Sequence, residues 1–168
     1  MKDLTTTTIY EEKLVKKFLK DFYFDKVKYL RIVINILIAV IVIYFFTKDE
    51  RNTLDIITFV FAIFGIIEVN STLLPNINYC RLKKKKDNVL NSKIKYTFKE
   101  NNFRIFIDEA ENIDYKDLKK VVEVDNAYYL YINSSRAFIV DKEKLNDEEI
   151  NYLTNLLKEK VSTYKYDK

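Results

Sequence analysis

The sequence predicts an α+β membrane protein: a hairpin of two apolar helices, then a small, bent antiparallel β-barrel closed by a C-terminal helix. Three observations predict it. Two apolar runs without a polar face lie between Arg31 and Asn70, separated by a short charged loop. Beyond Asn91 apolar and polar residues alternate with a period of two, in short runs divided by turn residues. The chain then carries Ile150, Leu153, Leu157 and Val161, one apolar stripe at helical spacing.

The totals narrow the function classes. A chain of 168 residues suits one domain plus an accessory element, and a net charge of +4 is too small to argue for nucleic acid. There is no His, which removes the commonest general base and the commonest neutral metal ligand. A lone Cys80 forms neither an internal disulfide nor a thiolate cluster. We therefore expect no enzyme, no cofactor, no bound metal and no nucleic-acid partner.

Residues 1–29 read as a basic amphipathic helix on the cytoplasmic side. Thr8 and Glu11 have capping-box spacing. Val15, Phe18, Leu19 and Phe22 make a stripe, and Lys13, Lys16, Lys17 and Lys20 project from other faces. Such a helix either rests on the anionic inner leaflet or packs on the cytoplasmic domain. Thr5 to Thr7 carry a weak strand signal.

Residues 30–75 read as the transmembrane hairpin. From Ile32 to Phe46 the one polar interruption is Asn35, and Arg31 can snorkel from the end. The second run, Leu54 to Leu74, carries Asp55 near one end and Glu68 and Asn70 near the other. A spanning helix needs roughly 20 residues. β-Branched residues locally favour a strand, but so long an unbroken run exceeds strand length. The aromatic sequence "IYFFTKDE" lacks the small residues of a signal-peptide cleavage site. Lys and Arg crowd both outer flanks, whereas the loop holds only Lys48 and Arg51 against Asp49 and Glu50. Both termini are thus expected in the cytoplasm of a two-helix cell-membrane protein. Asn35 is placed to bond its hairpin neighbour, or a second copy in a homo-oligomer.

Residues 76–92 form a basic juxtamembrane segment. Arg81, Lys83, Lys84, Lys85 and Lys86 suffice to retain topology, and the sharper reading is contact with anionic lipid.

Residues 93–168 read as the cytoplasmic domain. "KIKYTFK" turns inward Ile94, Tyr96 and Phe98; "FRIFID" turns inward Phe103, Ile105 and Ile107. "LKKVVEV", "AYYLYIN" and "RAFIV" continue the meander, with turns at Asp125-Asn126 and Ser134-Ser135. Asp108, Glu109, Glu111 and Asp114 read as a solvated acidic loop. Asn146 and Glu149 form a second capping box, and the Ile150–Val161 stripe is expected to plug the sheet. On the Tyr-rich strand one face is core. The other offers Tyr128, Tyr129 or Tyr131 as a partner-protein surface.

Strands followed by one amphipathic helix resemble a pleckstrin-homology-like (PH-like) split barrel. The stretch "FRIFIDEAENIDYKDLKKVVEVDNAYYLYINSSRAFIVDKEKL", Phe103 to Leu145, resembles the YcxB-like family of small bacterial membrane proteins. The resemblance is carried by Tyr115, Leu118 with Val121 and Glu123, Tyr128 to Tyr131, and Ala137 to Lys142. Asp141 stands where that family has Pro. The resemblance implies two membrane helices ahead of a PH-like domain and no catalytic chemistry. The expected role is a non-enzymatic membrane protein whose domain binds a protein partner or senses the membrane. The alternatives are binding of anionic headgroups and service as an accessory subunit of a transporter.

Overall fold

A computed structural model describes residues 3–71, 73–84, 89–133 and 136–167. The chain divides into two compact units, Met1–Val15 with Val89–Lys168, and Lys16–Asn88. The fold is α+β, with a long apolar helix near the N-terminus and two sheets.

Among the described residues the first unit holds eight strands, two single-turn helices, the C-terminal helix and the first turn of the long helix that begins at Glu12. Strands β1 (Leu4–Ile9), β2 (Lys93–Phe98), β3 (Asn102–Phe106) and β4 (Ala110–Asp114) form one antiparallel sheet in that order. Strands β5 (Lys120–Val124), β6 (Ala127–Tyr131) and β7 (Ala137–Asp141) form the second, in the order β7-β6-β5-β8. The three-residue β8 (Tyr164–Tyr166) runs parallel to β5. The alternation in β2 and β3 places Ile94, Tyr96, Phe98, Phe103 and Ile105 in the core. Their rings continue as a stack: Tyr96 on Phe98, Phe98 on Phe103, and Phe103 on Tyr115, at 5.6–6.1 Å between centroids. The C-terminal helix (Asp147–Lys160) starts at the expected Asn146–Glu149 capping box and buries Leu153, Leu156 and Leu157.

The expected barrel does not close: the sheets remain two separate ladders. Side chains of the first bind the backbone of the second. Thr8 Oγ1 accepts from the Asp141 N–H at 3.0 Å, and the Tyr10 hydroxyl accepts from the Ile139 N–H at 2.9 Å.

Several boundaries differ from expectation. Thr8 does not cap a helix; it is a buried member of β1, opposite Ile94. The first unit thus takes in residues N-terminal to the apolar runs, rather than 93–168 alone. Helix α1 (Glu12–Thr47) is unbroken, so no separate helix spans 1–29. Helix α2 (Thr53–Asn70) stops short of Leu74, because Ser71 caps it in an extended conformation and its hydroxyl donates to the Glu68 carbonyl. A further helix, α3 (Leu73–Lys83), follows. Of the residues expected in an acidic loop, Glu111 and Asp114 belong to β4, and Asp108 and Glu109 lie in the bend before it.

In the second unit α1 and α2 pack through few residues. Among the described residues of these two helices beyond Val15, Ile38 and Ala62 are the buried apolar side chains. Gly65 faces Ile38 so closely that an added Cβ would lie 3.2 Å from its Cδ1. Phe45 stacks on Phe59 at 4.2 Å. Asn70 accepts from Arg31 Nη2 and donates to Asn35 Oδ1, both at 3.1 Å. At the loop Lys48 pairs with Asp55 at 2.7 Å, and Asn52 caps α2. Along α3, Tyr79 is buried with the Lys16 ammonium 4.6 Å above its ring. Among the described residues α1 is long and apolar enough to cross a membrane, with a mean hydropathy of 2.5 over its best window.

Candidate functional site

A polar cluster of the first unit sits where β5, β8 and the end of β7 meet. Glu123 is held there by β5, whose Val121, Val122 and Val124 are buried. Lys142, just past β7, is buried and its ammonium lies 2.6 Å from Glu123 Oε1. The Tyr164 hydroxyl, from β8, donates to Glu123 Oε2. The Lys142 ammonium also stands 4.6 Å above the Tyr128 ring of β6. The Tyr128 hydroxyl in turn meets Thr154 Oγ1 at 2.6 Å, tying the C-terminal helix to the sheet.

Electrostatics follow from that geometry. Burial by itself would raise Glu123, but Lys142, the Tyr164 hydroxyl and Lys158 outweigh it and hold the carboxyl below its ordinary value. Burial pushes the Tyr128 hydroxyl up to about 12 and raises Tyr164 further, with the Glu123 carboxylate adding to the rise. Both tyrosines are neutral donors at physiological pH. The carboxylate, the ammonium and the phenol together clamp β5 to β8 and to the end of β7.

Glu123, Tyr128 and Lys142 are among the residues that carried the sequence resemblance, and the fold brings them to this one clamp. Residues 98–157 match the YcxB-like protein family. No curated protein and no solved structure matches the chain. The YcxB-like segment runs from the last residue of β2 into the C-terminal helix, so it takes in the clamp's three shared residues. It does not include β1, the apolar helices or Tyr164 of β8. A three-residue strand reading "YKY" has too little pattern to be seen in sequence.

The tyrosines proposed as a partner surface are core. Tyr128, Tyr129 and Tyr131 are 0%, 0% and 4% exposed. All five residues of β6 are buried because the strand lies between β5 and β7 and is covered on both faces. The YcxB-like segment instead exposes Phe106 and Ile107 at the β3–β4 turn, so Ile107 is not an inward residue.

The basic candidates are only partly described. Arg81 and Lys83 occupy the last turn of α3, where cations complement the helix dipole, and Lys84 follows it; all three are exposed. Lys85 and Lys86 lie outside the described residues, as do Ser134 and Ser135. Of the acidic group, Glu111 pairs with Arg136 at 2.6 Å and Asp114 with Lys116 at 3.3 Å. Among the described residues no three His, Cys, Asp or Glu stand together to hold a metal. Cys80 is exposed.

The second unit presents a different surface. Ile36, Val40 and Ile43 of α1, and Phe61, Phe64 and Ile67 of α2, are each about 60–70% exposed. Most of the residues between Tyr29 and Ile67 that a soluble protein would bury face outward.

Proposed function

We propose that the chain is an integral membrane protein of non-enzymatic character. Helices α1 and α2 cross the bilayer as a hairpin, and both termini lie in the cytoplasm. The sheet unit, PH-like in its meander and terminal helix, is presented there to a protein partner or reports the state of the membrane. The observation that carries this reading is the outward apolar surface of α1 and α2. Each large side chain left in water forgoes about 1.5–3 kcal/mol, and more than a dozen are exposed together; lipid removes that deficit. The scarcity of Lys and Arg in the loop, against their density before and after the hairpin, supports the orientation. The lack of His and the neutral phenols of the clamp support a role without catalysis.

The test is fractionation followed by labelling. The full chain should stay in the membrane pellet after alkaline carbonate and leave it only with detergent. In a Cys80→Ser background, Glu50→Cys should react with an impermeant maleimide in intact cells, and Lys116→Cys only after lysis. Recovery of the chain in the carbonate supernatant would end this reading.

Arg81, Lys83 and Lys84 favour a second reading, contact with anionic headgroups, each basic residue contributing about 1 kcal/mol at the surface. Dependence of domain protection on anionic lipid, lost at high salt, would support it.

A further inference from the structure

Helix α1 carries an arginine that is held in place but not neutralised. Phe24, Arg31, Asn35 and Ile38 recur at helical spacing and share one face of α1. Ile38 meets Gly65, so this is the face turned to α2. The Arg31 guanidinium stands 4.2 Å from the centroid of the Phe24 ring. Its Nη2 donates to Asn70 Oδ1 at 3.1 Å. Asn70 is fixed in turn: its amide nitrogen donates to Asn35 Oδ1 at 3.1 Å and to the Ile66 carbonyl at 2.9 Å. Those two bonds leave its oxygen facing Arg31. The arginine therefore does not trail freely toward water; a ring and an oriented amide set its plane.

Its charge has no counterpart. Among the described residues no carboxylate forms an ion pair with Arg31. The side chain is half-buried, and its Nε is enclosed without an acceptor, so the cation is partly desolvated as well as unpaired. Of the N–H donors of the guanidinium, the bond to Asn70 uses one. The C-terminus of α2, which ends at Asn70, offers only about half an elementary negative charge. Lys28, exposed and three residues before Arg31, adds a second cation on the adjoining surface. An anion is what this arrangement lacks.

Depth narrows which anion. From Thr47, the last residue of α1, back to Arg31 is about 24 Å of helix, against about 30 Å of bilayer hydrocarbon. With the loop at the outer face, Arg31 comes to the inner boundary of the hydrocarbon. The anions found at that level are the phosphodiesters of inner-leaflet lipids. A guanidinium meets phosphate oxygens through parallel N–H bonds, which an ammonium cannot reproduce.

We propose that Arg31, oriented by Asn70 and Phe24, is the seat of a phosphate group, supplied by an inner-leaflet phospholipid. This rests on the reading that α1 and α2 span the membrane. It places a single lipid between residues of the two helices, apart from the basic residues that end α3.

The experiment is native mass spectrometry of the full chain in dodecylmaltoside, stripped of lipid and titrated with dioleoyl-phosphatidylglycerol. One lipid should bind ahead of the others. Arg31→Gln should weaken that first step about tenfold, and Arg31→Lys should restore less than half of the loss. Asn70→Leu, which frees the guanidinium, should weaken it about threefold. Arg104→Gln, the same change of charge on the exposed face of β3, should leave it unaltered. The wild-type chain gives a reading independent of any variant's folding: phosphatidylglycerol with a headgroup diazirine should label residues 28–35 and Asn70. Undiminished first-step binding by Arg31→Gln, or labelling that avoids those residues, overturns the seat and leaves the membrane reading intact. Equal weakening by Arg104→Gln overturns it as well, because net charge would then suffice. Full binding by Arg31→Lys overturns the paired N–H contact. Displacement of the lipid by excess inorganic phosphate overturns the lipid as the source. Recovery of the chain from cells without detergent overturns both readings together.

Discussion

Helices α1 and α2 and the sheet unit use the same residue types in opposite ways. In the sheet unit Phe98, Phe103 and Tyr96 are fully buried and stacked. On α1 and α2, Phe46, Phe61 and Phe64 are exposed. Between α1 and α2 lie Ala62 and Gly65 against Ile38, the Phe45–Phe59 stack, and Asn35 with Asn70 and Arg31. In lipid, apolar residues gain little by meeting each other, so close approach and hydrogen bonds decide the contact. In water, the same residues define the core.

The largest effect should come from exchanging one ring in each region. Phe98→Ala should cost about 3–5 kcal/mol in denaturant titration of the sheet unit within the full chain. Phe64→Ala, in a bilayer, should cost less than about 1 kcal/mol. Equal losses would mean that α2 packs against protein and would break the comparison. Next comes the clamp. Lys142→Ala leaves the half-buried Glu123 without its cation and should cost about 1–3 kcal/mol. The sign with pH follows from the lowered Glu123 value. The clamp's contribution is present above the ordinary carboxylate range and is lost as pH falls through the folded value. Wild-type stability should therefore fall more steeply below about pH 4 than that of Lys142→Met, read by thermal melts across pH.

Smaller effects sharpen the account of the hairpin. Gly65→Val should push against Ile38 and cost about 1–3 kcal/mol, read as a lower Tm in detergent, with Gly65→Ala milder. Asn70→Leu removes the bonds to Arg31 and Asn35 and should cost only about 0.6 kcal/mol, the usual worth of a hydrogen bond between membrane helices. A loss of several kcal/mol there would show that the asparagines hold the hairpin together and that packing at Gly65 does not.

Periodicity made much of this legible. The alternation of "KIKYTFK" and the Asn146–Glu149 box named β2 and the C-terminal helix directly. The apolar runs named α1 and the body of α2. Strand β1 was weak in sequence because two of its three inward residues are threonines and its partner β2 lies beyond the apolar insertion: Tyr10 meets Tyr96 across 86 positions. The spacing of Thr8 and Glu11 fits a helix cap, and pairing with β2 overrides it. Tyr129 and Tyr131 could not be assigned to core or surface from alternation, because β6 is covered on both sides. Of the clamp, Glu123, Tyr128 and Lys142 were visible through the YcxB-like resemblance, but their meeting was not.

By itself the sequence determined the apolar core of α1, the body of α2, the alternation of β2 and the C-terminal helix. Those properties depend on neighbours within a few residues, where period and capping act. Only the tertiary structure decided that β1 completes the sheet unit from the far side of the apolar helices. It also decided that the Tyr-rich strand is doubly covered, and that a carboxylate, an ammonium and a phenol from three elements form one clamp. Such pairings bring together residues far apart in the chain, and their energies come from burial and complementary charge, which local pattern does not encode.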